Sequence, residues 1–114
     1  MWIFLPNSFL SIVNKGDPSG ATLLVRARKA GDIEAVFPGA VVIEGGGTDY
    51  RYRARIDREQ FAQAMADQVR AVNFPNFKGD VKERDRHDAY MDVWGAMMRF
   101  QEGRRCRPDV YSGS

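Results

Sequence analysis

Tyr50-Arg51-Tyr52-Arg53-Ala54-Arg55-Ile56 is the stretch on which the fold turns. Its residue types alternate with the two-residue period of a β-strand, so Arg51, Arg53 and Arg55 fall on one face and Tyr50, Tyr52, Ala54 and Ile56 on the other. Such a strand belongs to a sheet with one face against a core and one face carrying a row of positive charge. The second face is the natural first candidate for a binding surface.

Working outward, Trp2-Ile3-Phe4-Leu5 and Phe9-Leu10-Ser11-Ile12-Val13 read as two strands joined by a tight turn at Pro6-Asn7-Ser8. Asn14 to Gly20 is a loop by composition. A third strand is expected over Ala21–Arg28, where Leu23, Val25 and Ala27 alternate with Leu24, Arg26 and Arg28. Asp32 is placed as the N-cap of a short helix with Ile33, Val36 and Phe37 as its apolar side, stopped by Pro38-Gly39. Ala40–Ile43 supplies a fourth strand, and Glu44-Gly45-Gly46-Gly47-Thr48-Asp49 a hairpin loop into the arginine strand. Asp57 with Gln60 forms a capping box for a helix whose Phe61, Met65, Val69 and Val72 make one core-facing stripe. After a break at Asn73–Gly79, Asp80 is expected to cap a long helix reaching about Phe100. His87, Tyr90, Met91, Trp94, Met97 and Met98 share one side of it and Asp85, Asp88 and Asp92 the other.

This order indicates an α+β domain: a mostly antiparallel five-stranded sheet with one short and two longer helices packed on one face. Residues 1–100 form the expected domain and 101–114 a mobile basic tail. If the third and fifth strands share the sheet in register, Arg26 and Arg28 join Arg51, Arg53 and Arg55 on its open face. An apolar first hairpin at a sheet edge also allows edge-to-edge pairing into a homodimer.

Bulk properties exclude several function classes. The chain has 114 residues, 44% apolar and 28% charged, which suits a domain that buries a core without disulfides or a structural metal. The formal charge of +2 is spread thin: Arg104, Arg105 and Arg107 against Glu102 and Asp109 account for +1, leaving 14 basic and 13 acidic side chains before them. A general field for polyanions is therefore absent, and any such binding must come from local segregation of charge. The one cysteine, Cys106, can make no internal disulfide, and no Cys/His set for zinc exists. Met1–Val13 lacks the basic start and cleavage site of a signal peptide, and no apolar run is long enough to span a bilayer. A soluble cytoplasmic protein is expected.

Candidate chemistry is sparse. His87 is the only histidine, and its helix-wheel position among Met91, Trp94 and Met98 is that of a core or edge residue rather than a general base, with Asp85 and Asp88 turned away from it. Asp85, Asp88 and Asp92 have a spacing that can line a hard-cation site but is commoner on a solvated helix face. Gly45-Gly46-Gly47-Thr48 runs into a strand with no following lysine, which is a hairpin connection and not a phosphate-binding loop. Cys106 has no base beside it. No catalytic set, metal site or cofactor is expected.

The remaining candidates are surfaces: Arg26, Arg28, Arg51, Arg53 and Arg55 on the sheet, and Phe74 and Phe77 in the loop between the long helices, where core plugging is the plainer account. Tyr50 and Tyr52, on the face opposite the arginines, cannot serve as stacking partners beside them.

The segments Trp2–Val13, Gly47–Ala54, Asn76-Phe77-Lys78 and His87–Trp94 resemble a group of small bacterial proteins of phage and mobile-element type, over roughly residues 2–98. The resemblance implies a complete stand-alone protein and carries no activity or site residues with it. The expectation is a non-enzymatic module that binds a bacterial protein, as an inhibitor or regulator of a larger host complex. The alternative is a nucleic-acid-binding protein using the arginine row and the basic tail.

Overall fold

The computed structural model describes residues 1–45 and 49–104. The strands are β1 (Trp2–Leu5), β2 (Ser8–Val13), β3 (Thr22–Ala27), β4 (Ile43–Glu44) and β5 (Tyr52–Asp57); the helices are α1 (Asp32–Val36), α2 (Arg58–Arg70) and α3 (Arg84–Gln101). The fold class is α+β, and all five strands form one antiparallel sheet in the order β1-β2-β3-β5-β4. The chain divides into two compact units, Met1–Pro75 and Asn76–Ser114. No helix among the described residues is long and apolar enough to cross a membrane.

The first unit holds the sheet. Ile3, Leu10, Ile12, Leu23, Val25, Ala27, Tyr52, Ala54 and Ile56 share the core face with Ile33 of α1, Phe37 just after it and Phe61 of α2, whose ring stacks on Phe37 at 5.4 Å. This is the apolar half of the alternation in each strand, and its burial drives the sheet to form. Asp57 caps α2 as expected, its carboxylate accepting from the Gln60 N–H at 3.3 Å.

Several local expectations are corrected. Asp32 is not the N-cap of α1: Gly31 holds that position in the left-handed region (φ 91°), where a residue with a Cβ is strained. Asp32 is instead buried, and its Oδ2 accepts the Phe9 N–H at 2.9 Å, tying the helix to the first hairpin. The fourth strand is only Ile43–Glu44, because pairing reaches no further than Arg53 and Tyr52 of β5; Ala40 and Val42 pack on the core without strand geometry, and Val41 is exposed. In α2 the expected stripe stops at Met65: Val69 and Val72 are 72% and 55% exposed, since the helix outruns the core.

In the second unit, Asp80 ends a 3-10 turn at Lys78–Asp80 and does not cap the long helix; α3 starts later, with Glu83 as N-cap. Gly103, at φ 75°, closes α3, and the Arg104 N–H reaches back to the Arg99 carbonyl. The expected apolar side of α3 is not a buried stripe, for Trp94 and Met97 are 55% and 56% exposed while Arg86 is buried. The hairpin-loop residues Gly46, Gly47 and Thr48, and the tail from Arg105 onward with Cys106 and Arg107, lie outside the described residues.

Candidate functional site on the outer face of the sheet

Strand register builds a site that the sequence only half displays. Trp2 pairs with Ser11, Ser11 with Arg26, Arg26 with Arg53, and Arg53 with Ile43. The five residues therefore form one row across every strand, roughly 19 Å long at the usual interstrand spacing. All five lie on the face opposite the core. The next row on that face joins Val13, Leu24 and Arg55.

At the β1–β2 end the outer face is aromatic, with Phe4 and Phe9 beside Trp2 of the row. Phe4 and Phe9, paired across the hairpin, stack at 4.6 Å, and Trp2 meets Phe9 edge-on at 5.8 Å. Trp2 remains 64% exposed, so much of its indole is available to a partner.

At the β3–β5 end the row is cationic. Arg26 donates from Nη2 to the Ser11 hydroxyl at 2.7 Å, and its guanidinium lies 4.6 Å from the Tyr50 ring centroid. Arg28 covers the same ring at 4.1 Å and pairs with Asp49 at 3.2 Å. The Asp49 carboxylate raises the Arg28 pKa above its ordinary value. Tyr50 is thereby 5% exposed. Arg53 makes one long contact, 3.5 Å from Nη2 to the Tyr50 carbonyl. Arg55 is held by the loop before β3, donating to the Lys15 carbonyl at 2.9 Å and the Thr22 hydroxyl at 3.2 Å.

That loop is itself fixed by Asp17, which accepts from the hydroxyls of Ser19 and Thr22, both at 2.7 Å, and from their N–H groups, both at 3.0 Å. The Thr22 hydroxyl, followed by that of Ser19, holds the Asp17 carboxyl far below the usual carboxylate range. Gly16 (φ 85°) presses against Arg55 so closely that a Cβ there would meet Nη2 at 2.6 Å. Lys15, Leu24, Arg26, Ile43, Arg53 and Arg55 line a cavity of about 560 Å³, with Asp49 and Tyr50 also on its wall.

Of the sequence candidates, Arg26, Arg53 and Arg55 come together here, and Arg28 stands beside them engaged with Asp49. Arg51 does not join the strand, because β5 begins at Tyr52 and Asp49–Arg51 form a bend. The same bend overturns the expected placement of Tyr50, which lies under the arginines rather than opposite them. Phe74 is half-buried, and Phe77 stacks on Tyr90 at 5.8 Å, an internal contact of the second unit.

Sequence alone does not single out Trp2, Phe4 and Phe9, since the apolar runs of β1 and β2 do not reveal which side faces the core. His87 has the half-exposed position of an edge residue, but Asp88 is not turned away from it: the His87 Nδ1 lies 3.7 Å from Asp88 Oδ1. No group of three or more His, Cys, Asp or Glu among the described residues is arranged to hold a metal. Comparisons of the chain with family models, with curated proteins and with solved structures returned no match.

Proposed function

We propose that this is a non-enzymatic binding module whose outer sheet face takes single-stranded nucleic acid. The observation that carries the reading is the single cross-strand row in which an exposed Trp2 and the arginines Arg26 and Arg53 share one face. Single strands are held by two elements: rings on which bases stack, and cations that track the phosphates. Here the hairpin β1–β2 supplies the first and the pair β3–β5 the second. The sheet arginines act locally, which fits a chain whose net charge is only +2.

Anisotropy titrations with labelled single- and double-stranded DNA and RNA, at low and moderate salt, test this. The single strand should bind more tightly than duplex, with affinity falling steeply as salt rises. Trp2→Ala and Arg53→Gln should each weaken binding without lowering the melting temperature. Absence of single-strand binding at low salt removes the reading.

A second reading, a protein partner with an acidic surface, is favoured by the composition of the same row, since Trp and Arg dominate protein hot spots. It expects capture of a defined acidic protein that is lost when Arg26, Arg53 and Arg55 are replaced by Glu.

A further inference from the structure

Arg26 and Arg53 stand directly opposite each other in the β3–β5 pair. Like charges in that position repel, and sheets normally avoid them or place a carboxylate between. Among the described residues no salt bridge involves Arg26, Arg53 or Arg55. The one carboxylate on the cavity wall, Asp49, is engaged by Arg28. The Nε atoms of Arg26 and Arg53 are buried with no hydrogen-bond partner among the described residues. Buried donors without acceptors call for a specific explanation, and a local rule broken without compensation is a mark of a functional site. The guanidiniums that line the cavity take neutral acceptors from Ser11, Tyr50, Lys15 and Thr22, so what the cluster lacks is negative charge.

We infer that the cavity between Arg26, Arg53 and Arg55 is a seat for a phosphomonoester dianion. Three guanidiniums match a group with two negative charges and three terminal oxygens better than a phosphodiester, which has one charge and two such oxygens. The volume of about 560 Å³ exceeds a bare phosphate and lies in the range of small-ligand pockets, so it also admits the sugar that carries the phosphate, against Leu24 and Ile43. Resting on the reading above, the source of that dianion is a phosphorylated strand end, and the module prefers ends to internal sequence.

The test uses the full chain and labelled single strands of one sequence, with a 5′-phosphate, a 3′-phosphate or hydroxyls at both ends, beside a thermal-shift series with inorganic phosphate and chloride at matched ionic strength. One phosphorylated end should bind about tenfold more tightly than the hydroxyl strand, the equivalent of one charge-assisted hydrogen bond. R53Q and R26Q, checked for folding by circular dichroism, should erase that difference while keeping a residual, less salt-sensitive binding through stacking on Trp2. Equal affinity for all three strands overturns the seat and leaves the single-strand reading standing. Phosphate raising the melting temperature of the parent chain but not of R53Q, with no strand bound at all, supports the seat and overturns the single-strand reading.

Discussion

On the core face of the sheet, Leu10, Ile12, Val25 and Ala54 meet one another and the rings of Phe37 and Phe61, and the buried Asp32 is matched to the Phe9 N–H. One residue along in β3 and β5, on the outer face, Arg26 opposes Arg53 with no carboxylate bridging them among the described residues. Both faces are products of the same backbone and the same hydrogen-bonded ladder. The first is explained by burial; the second leaves a repulsion that stability alone does not ask for. On the proposed reading, stability and binding are divided between alternate residues of the same strands, so substitutions should separate them cleanly.

The largest effect is expected on the core face. Leu10 is fully buried, and Leu10→Ala should lower the free energy of unfolding by about 2–5 kcal/mol in urea denaturation, since it removes transfer energy and leaves a cavity. Next comes the tie between α1 and the hairpin. Asp32→Ala should cost about 1.5–3 kcal/mol, the range for a hydrogen bond to a charged group, while Asp32→Asn keeps an acceptor and should cost less. Equal losses in the two variants would mean that the carboxylate does not hold the Phe9 N–H. The smallest effect belongs to the outer face: Arg53→Gln should leave stability within about 0.5 kcal/mol or raise it, because a like-charge opposition is relieved. A loss there as large as that of Leu10→Ala would make the arginine row a structural element, and the contrast between the faces would collapse.

Much of this architecture is legible in the chain. Alternation in Leu23–Arg28 and Tyr52–Ile56 marks the strands and their inner residues, and Asp57 marks the start of α2. What stays hidden has physical causes. Strand neighbours depend on pairing between distant segments, and nothing local in Arg26 or Arg53 announces that they meet. The run Trp2-Ile3-Phe4-Leu5 is apolar on both sides, so its period cannot tell which rings face the core. Tyr50 fits the strand alternation by type, but the bend at Asp49–Arg51 sets it under Arg26 and Arg28. Asp32 has the chemistry of a helix cap, and only the approach of the hairpin gives its carboxylate a different donor.

The order β1-β2-β3-β5-β4 also has a kinetic meaning. β1, β2 and β3 pair with their sequence neighbours and close short loops, whereas β5 reaches β3 only after α1 and β4 have been bridged. Contacts that close long loops are the slow ones to form. The two guanidiniums come from the two sides of that long-range pairing, so the anion seat is assembled only when β5 has docked. A ligand that holds both would act as a clasp on the seam, coupling occupancy to the long-range pairing and slowing its reversal.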